Sequence, residues 1–249
     1  MAPRAARRFA GRGRPEWNRS TRRRRGTTTS YAGEVERLIS LLSAKHGARR
    51  GTLLDVACGT GLHIEHLRRR FDAEGLDICP ELLAIARKRN PDAVFHLADM
   101  TAFGLGKRFD VVTCLFSSIG YVKTLDRLRA AVRSMAAHLR PEGILAVEPW
   151  FTPETRRPNT VHALYIDETE LKIARINTSF VDGRTSIFDL HYLIGTPEGT
   201  EHVIEHHELG LFDVEEMVAA MEEEGLAVDY DPQGLTGRGL YVARRRAGK

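Results

Sequence analysis

The chain has 249 residues, of which 42% are hydrophobic, so it is long enough for one domain, or one domain with an insertion, around a substantial core. No apolar run approaches the ~18 residues of a membrane span, and three scattered cysteines predict a reducing, cytoplasmic setting. The net charge of +4 is uneven: residues 1–26 hold ten arginines and one glutamate, which leaves −5 on the remainder.

We assign residues 1–29 to a basic arm outside the predicted domain. Three interpretations of the arm stay open: nucleic-acid binding, an Arg-rich transit peptide, or a solvated, disordered stretch without a role. The arm has no apolar periodicity and little to bury, which favours the third interpretation. Because the rest of the chain is acidic, we expect no nucleic-acid partner.

Alternating helices and strands follow the arm. After Ser30, apolar residues recur at helical spacing to about residue 46. The pattern then predicts five strands, over 53–56, 73–76, 93–97, 109–115 and 144–147. Helices are predicted over 62–70, from Pro80 onward and over 126–139, with a turn at 140–143. This alternation predicts a parallel sheet, and such sheets bind ligands beyond the carboxyl ends of their strands.

The pattern becomes β-rich after residue 150. Strands are predicted over 171–180 and 185–194, joined by an Asp-Gly turn, and a third over 202–209. A helix over 214–224 and two strands, over 227–230 and 240–243, complete the chain. We therefore predict an α/β domain made of residues 30–149 and 210–246, with residues 150–209 as a β-rich insertion that binds substrate.

The turn after the first strand, DVACGTG (residues 55–61), is the most informative segment. Gly59 and Gly61 carry no Cβ, so the backbone can approach a ligand closely. The spacing matches neither the dinucleotide fingerprint nor the P-loop. It resembles motif I of class I methyltransferases, which bind S-adenosylmethionine (SAM).

Three acids, Asp55, Asp77 and Asp99, each stand at the end of a predicted strand. Asp77 follows the glycines by about twenty residues, where a carboxylate accepts ribose hydroxyls; the alternative is a cap for the helix at Pro80. Asp99 would bind the adenine amino group, and Met100 would place its thioether against the ring. Together with the glycine turn, these acids predict SAM as the cofactor.

Two other chemistries receive little support. His202, Glu205, His206 and His207 suggest metal ligands, but neighbours in a strand point to opposite faces, and we predict no metal site. The fourth strand leads into FSSIGY rather than the proline-containing run of amino-methylases that act on nucleic-acid bases, so base extrusion is not supported.

Several stretches over residues 31–243 resemble one family, the SAM-dependent N,N-dimethyltransferases of dTDP-linked 3- or 4-aminosugars. FSSIGY, EPW and GRGLYV are more specific than motif I, and they occur in the family's order. Where Asp77 stands, the family commonly has glutamate. The resemblance implies a class I methyltransferase fold, with a Rossmann-like sheet and the β-rich insertion after strand five. Together with the motif I turn, it implies these cofactor-binding residues: Tyr31, Asp55, Ala57, Gly59, Gly61, Asp77, Asp99, Met100 and Leu115.

The resemblance also implies a sugar-nucleotide pocket, lined by Trp150, Phe151, Arg175, Ser179 and Arg238. Arginine matches the oxygens of a pyrophosphate, and an aromatic ring can stack on thymine. The alternative for Arg238 is a surface arginine in a hairpin. Tyr121 is our candidate catalytic residue, to orient the amine or accept its proton; the alternative is a packing aromatic.

The predicted function is dimethylation of the amine of a dTDP-linked deoxy aminosugar in antibiotic sugar biosynthesis. The expected partner is that substrate, with a homodimer as the expected assembly and no membrane association. Two alternatives remain: an N- or O-methyltransferase of another small metabolite, and a nucleic-acid-binding protein that uses the arm.

Overall fold

The computed structural model describes residues 31–46 and 51–245, so the predictions for the arm lie outside the described residues. The first part of the fold alternates helices and strands. These elements are α1 (Tyr31–His46), β1 (Thr52–Val56), α2 (Leu62–Leu67), β2 (Asp72–Asp77), α3 (Pro80–Arg89), β3 (Phe95–Leu97), β4 (Phe109–Cys114), a 3-10 turn (Ser118–Val122), α4 (Leu125–Ala137) and β5 (Leu139–Val147). None of the described helices is long and apolar enough to cross a membrane.

The remaining elements form a second sheet and close the first. They are β6 (Thr160–Asp167), β7 (Lys172–Asp182), β8 (Thr185–Thr196), β9 (Gly199–Gly210), α5 (Val214–Glu222), β10 (Leu226–Asp231) and β11 (Leu240–Arg245). The central sheet has the order β10-β11-β5-β4-β1-β2-β3. Strands β1 to β5 are parallel, whereas β10 and β11 are antiparallel to their neighbours.

Two apolar layers cover the faces of the central sheet. Leu53 packs with α1, α2 and α3, whereas its neighbour Leu54 packs with α4 and α5 on the other face, as the two-residue period of a strand requires. The chain order reverses between β1 and β4, which lie side by side. In sheets of this kind the reversal opens a crevice at the carboxyl edge, where ligands bind.

The second sheet is antiparallel in the order β6-β7-β8-β9 and follows β5 in the chain. The Asp182-to-Thr185 turn joins β7 to β8, as the sequence predicts. Strand β6 was not predicted. It is an edge strand in which only Leu164 and Ile166 are buried, so its sequence lacks a strong alternation of apolar and polar residues.

Some predicted boundaries were wrong. Helix α2 ends at Leu67, and residues 140–143 continue β5 rather than forming a separate turn. The pairing of β4 with β5 shifts register at this point, Glu142 has a φ of 61°, and a Cβ on Gly143 would lie 2.9 Å from the carbonyl oxygen of Arg140. The Pro-Glu-Gly signal therefore marks an irregularity within a strand, which proline and glycine also favour.

Candidate active site

A cavity of about 1290 Å³ lies beyond the carboxyl ends of β1, β2 and β4 and is covered by one face of the second sheet. It brings together residues that are far apart in the sequence. The predicted site residues that line it are Tyr31, Asp55, Ala57, Gly59, Asp77, Asp99, Met100, Leu115, Tyr121, Trp150, Phe151, Arg175, Ser179 and Arg238. Gly61 does not line the cavity.

The glycine turn after β1 has the geometry of a ligand cradle. Ala57, Gly59 and Gly61 all have positive φ, at 59°, 56° and 70°. A Cβ built on Gly59 would meet no atom within 4 Å, so a side chain there would enter the cavity. Gly61 instead is the N-cap residue of α2, and a Cβ on it would lie 2.9 Å from the side-chain nitrogen of Asn90. Gly61 therefore shapes the turn, and direct cofactor contact by Gly61 stays a prediction.

Asp77 links the turn to the next strand. Its carboxylate accepts hydrogen bonds from the backbone N–H of Gly59, at 2.8 Å, and of Cys79, at 2.9 Å. Cys79, not Asp77, occupies the N-cap position of α3. Burial raises the pKa of Asp77, and these backbone hydrogen bonds partly offset the increase. The carboxylate is thus held rigidly at the cavity wall.

Asp55 presents a buried acceptor to the same cavity. Only 1% of the residue is exposed; Oδ1 accepts a hydrogen bond from the Thr113 hydroxyl at 2.8 Å, whereas Oδ2 has no hydrogen-bond partner among the described residues. Burial raises the pKa of Asp55 to about 6, although His63 and Thr113 act in the opposite direction. A buried carboxylate oxygen without a partner is costly unless a bound donor meets it.

Asp99 lies further along the edge, after β3. Its Oδ1 accepts from the backbone N–H and the hydroxyl of Thr101, both at 2.8 Å, and its Oδ2 lies 3.3 Å from the Arg127 guanidinium. Partial burial raises the pKa of Asp99, but these bonds outweigh it and hold the pKa below its ordinary value. Asp99 is therefore ionised and fixed in orientation.

Arg238 lies inside the site, so the interpretation as a surface arginine is wrong. Its side chain is 12% exposed, and the guanidinium lies 5.4 Å from the ring of Phe116 and 5.5 Å from that of Trp150. Buried Glu148 stands 3.6 Å from it and also accepts hydrogen bonds from the Phe116 N–H and the Thr236 hydroxyl. Glu148 and the two aromatic rings thus hold the positively charged guanidinium of Arg238 at the cavity.

The second sheet contributes further donors. Arg175, Asn177 and Ser179 alternate along β7 and all line the cavity. The Nε of Arg175 and the indole N–H of Trp150 are buried without a hydrogen-bond partner among the described residues. Donors left in this state point to a ligand that accepts hydrogen bonds.

Tyr121 connects the 3-10 turn to the second sheet. The residue is 43% exposed, and its Oη lies 2.8 Å from Nδ1 of His207. His206 points to the other face of β9, where it contacts Asp189 and Glu208, as the strand period predicts. Within residues 31–46 and 51–245, no three histidine, cysteine or acidic side chains are grouped to hold a metal ion.

Comparison with known proteins identifies the family. A methyltransferase-domain model matches residues 53–143. The chain is 41% identical over 237 residues to dTDP-3-amino-3,6-dideoxy-alpha-D-glucopyranose N,N-dimethyltransferase of Streptomyces fradiae, covering 87% of this chain and 93% of the relative. The chain belongs to the dTDP-aminosugar N,N-dimethyltransferase family. The predicted resemblance is confirmed.

Two further similarities agree with the family assignment. The dTDP-3-amino-3,4,6-trideoxy-alpha-D-glucopyranose N,N-dimethyltransferase of Streptomyces venezuelae is 40% identical, over 87% of this chain and 92% of the relative. The SAM-bound structure of CalS10, an amino pentose methyltransferase from Micromonospora echinaspora, has a TM-score of 0.83 at 38% identity and covers 92% of this chain and 97% of its own. The predicted class I methyltransferase fold is therefore also confirmed.

The cavity of this family member fits SAM on its own geometry. Gly59 leaves space where any other residue would project a side chain, and Asp77 offers a fixed acceptor for a ribose. The unpartnered Oδ2 of Asp55 is an acceptor for a cationic donor such as an ammonium group. The cradle thus offers space at Gly59 and two acceptors, Asp77 and Asp55, for polar groups of the cofactor.

Sequence reasoning missed several residues of the dimethyltransferase site. Glu148 could have been predicted from the sequence, because it is an acid directly after the apolar run of β5. Arg156 could not be predicted in this way: it is buried within the cavity wall and its Nε donates to the Ser186 hydroxyl at 2.8 Å. Glu205 and His207 were weighed only as metal ligands, because their partners on other elements are invisible in the sequence.

Proposed function

We propose that the protein methylates the amine of a dTDP-linked 3-amino deoxysugar twice, with SAM as the methyl donor. The observation that carries this proposal is that a SAM cradle and an arginine- and aromatic-lined pocket open into one cavity. The 3-position is favoured because the names of both curated relatives described above place the amine there.

At the cofactor end, each residue has a separate task. Asp77 binds the ribose hydroxyls, Asp99 binds the adenine amino group and Met100 packs against the ring. Asp55 binds the ammonium group. Tyr31, at the start of α1, packs edge to face against the His63 ring and covers the cofactor. Ala57, Gly59 and Leu115 form the floor. When bound, SAM supplies an electrophilic methyl group on its sulfonium.

At the other end, the insertion binds the sugar nucleotide. Arg175 and Arg238 neutralise the pyrophosphate, and the guanidinium fork of each matches phosphate oxygens. Trp150 and Phe151, whose rings meet edge to face at 4.7 Å, form a wall for thymine. Ser179 completes this wall. We accordingly assign residues 150–209 to substrate binding, with residues 30–149 and 210–246 as the SAM-binding domain.

Catalysis rests mainly on positioning. The attacking nitrogen must be neutral and its lone pair must point along the bond that breaks, so holding both ligands in one cavity removes much of the entropic barrier; model reactions gain about 7–11 kcal/mol in this way. Tyr121 lines the same cavity and orients the amine through its hydroxyl.

Mass spectrometry of the purified protein tests the function. The protein is incubated with SAM and, in parallel, a dTDP-3-aminosugar, a dTDP-4-aminosugar and the matching free 3-aminosugar. We expect the 3-amino nucleotide to gain two methyl groups and the free sugar to remain almost unmodified. Equal methylation of the free sugar would refute the nucleotide pocket and favour the alternative, a methyltransferase of another small metabolite.

We also propose that the protein forms a homodimer. The outer face of the second sheet exposes Val161, Tyr165, Ile176, Leu193 and Ile204, between 45% and 68%, an apolar area of the kind that a second copy covers in a two-fold dimer. A monomer in light scattering would refute this dimer.

We also propose that nucleic acid is not a partner. DNA binding that persists in 0.5 M salt and disappears on deletion of residues 1–26 would contradict this proposal.

A further inference from the structure

Four side chains form a connected polar chain from the 3-10 turn into the second sheet. Tyr121 Oη lies 2.8 Å from His207 Nδ1. On the other side of the imidazole, Nε2 stands 3.6 Å from a carboxylate oxygen of Glu205. The hydroxyl of Tyr192 donates to that same oxygen at 3.4 Å. All four residues line the cavity.

The backbone fixes this arrangement. Glu205 and His207 are two residues apart on β9, so they share a face. A Cβ on Gly120 would lie 3.0 Å from Leu209, and a Cβ on Gly210 would lie 2.8 Å from the Cα of Lys123. These two glycines let the 3-10 turn pack directly against β9. Phe188 stacks on the His207 ring with centroids 5.1 Å apart, which fixes the imidazole plane.

We propose that His207 and Glu205 are positioning residues that orient Tyr121 and take up the proton released by the methylated amine. This inference rests on the proposed function. Glu205 favours the tautomer with the proton on Nε2, which leaves Nδ1 as an acceptor. Tyr121 then donates its O–H to Nδ1, and its oxygen lone pairs face the cavity. They accept an N–H of the substrate amine and direct the nitrogen lone pair.

The proton balance explains why the arrangement matters for two transfers. The first transfer leaves a secondary ammonium, which must lose a proton before its nitrogen can attack again. The ammonium N–H bond breaks and the proton moves to Tyr121 Oη, while the tyrosine's own proton moves to His207 Nδ1. The imidazolium faces the Glu205 carboxylate, and its proton returns to water through the hydroxyl of Tyr121, a residue that is 43% exposed.

The charged surroundings of His207 define the expected pH dependence. Tyr121 faces it from the 3-10 turn, Glu205 from its own strand and Tyr192 from β8, with Arg175 on β7 in register with Tyr192. Other charged groups near this part of β9, namely His206, Glu208 and Lys123, pair among themselves. Since protonated His207 cannot accept from Tyr121, both transfers slow at acid pH, and the second slows more because it also needs His207 to take up a proton.

Single-turnover kinetics on the full chain test the proposal, starting separately from the unmethylated and the monomethylated sugar nucleotide. In His207→Asn the amide oxygen replaces Nδ1 but does not titrate. We expect the first transfer to stay within about threefold of wild type and the second to slow about tenfold. The acid limb of the second transfer should become shallower, because the substrate amine still titrates whereas the asparagine does not. His207→Leu loses the acceptor too, so both transfers slow about tenfold.

The control is His202→Asn on the same strand, whose side chain stacks on His191 at the outer face; both transfers stay at the wild-type rate. SAM affinity, measured by calorimetry, stays unchanged in every variant and confirms folding. An unaltered acid limb in His207→Asn, or an equal slowing of both transfers in that variant, overturns the proposal. A wild-type protein that methylates no dTDP-aminosugar refutes the proposed function instead, so the two failures are distinguishable.

Discussion

Asp55→Asn should stabilise the ligand-free protein while weakening SAM binding. Burial raises the pKa of Asp55 from 3.8 to about 6, so the folded state binds this proton more tightly than the unfolded state. The stability that protonated Asp55 contributes is therefore fully present below pH 3.8 and is lost as pH rises through 6. At pH 8 the ionised carboxylate costs the native state about 3 kcal/mol, and at pH 5 about half of that.

Asparagine removes the charge and keeps an oxygen for the Thr113 hydroxyl. The unfolding free energy of Asp55→Asn should therefore exceed that of wild type by up to about 3 kcal/mol at pH 8, and by about half as much at pH 5. For a domain of this size, the larger value raises the melting temperature by roughly 6–12 °C. Urea and thermal unfolding without SAM measure both differences.

Calorimetry with SAM supplies the second half of this test. Loss of a charged acceptor should weaken SAM binding by about 1.5–3 kcal/mol at pH 8. Asp110→Asn is the matched control. Partial burial raises the pKa of Asp110, but hydrogen bonds from Thr52 and Arg140 outweigh the effect of burial and hold the pKa below its ordinary value. The Asp110→Asn variant should therefore be less stable than wild type. An Asp55→Asn protein no more stable than wild type at pH 8 would show that the ionised Asp55 carboxylate does not destabilise the native state.

Three further outcomes follow from the site. Asp77→Ala should weaken SAM binding by about 1.5–3 kcal/mol and more than Asp77→Glu does, because only alanine removes the ribose acceptor; equal calorimetric affinity of Asp77→Ala and wild type would remove the assignment. Arg238→Ala should raise KM for the sugar nucleotide without changing SAM affinity, and Arg238→Lys should recover only part of the loss, since an ammonium cannot form the bidentate pair; steady-state kinetics showing an unchanged KM would count against a pyrophosphate clamp. Deletion of residues 1–26 should leave the melting temperature and turnover nearly unchanged, because the segment has little to bury; a large drop in either would show that the arm packs on the domain or contacts substrate.

The cofactor half of the site could be predicted because its signals are local. A parallel strand followed by a glycine turn places Asp55 and Gly59 at one edge, and the next strands place Asp77 and Asp99 at the same edge. Each inference needs only the two-residue strand period and the direction of the strands. The structure accordingly brings all four residues to one cavity.

The insertion was harder to predict because its function depends on contacts between distant elements. Strand β6 has too few buried residues to show a period, and the link between Tyr121 and His207 spans 86 positions. No local sequence pattern indicates that Gly120 and Gly210 let the 3-10 turn and β9 approach each other. Likewise, the turn signal at residues 140–143 does not distinguish an irregular strand from a chain reversal.

A crystal structure of the protein with S-adenosylhomocysteine and a dTDP-3-aminosugar would show whether one cavity holds both ligands. We expect the adenosine against Asp77 and Asp99, the pyrophosphate against Arg175 and Arg238, and the sugar amine between the cofactor sulfur and the Tyr121 hydroxyl. A sugar nucleotide bound outside this cavity, or inside it with the amine turned away from the sulfur, would refute the proposed site.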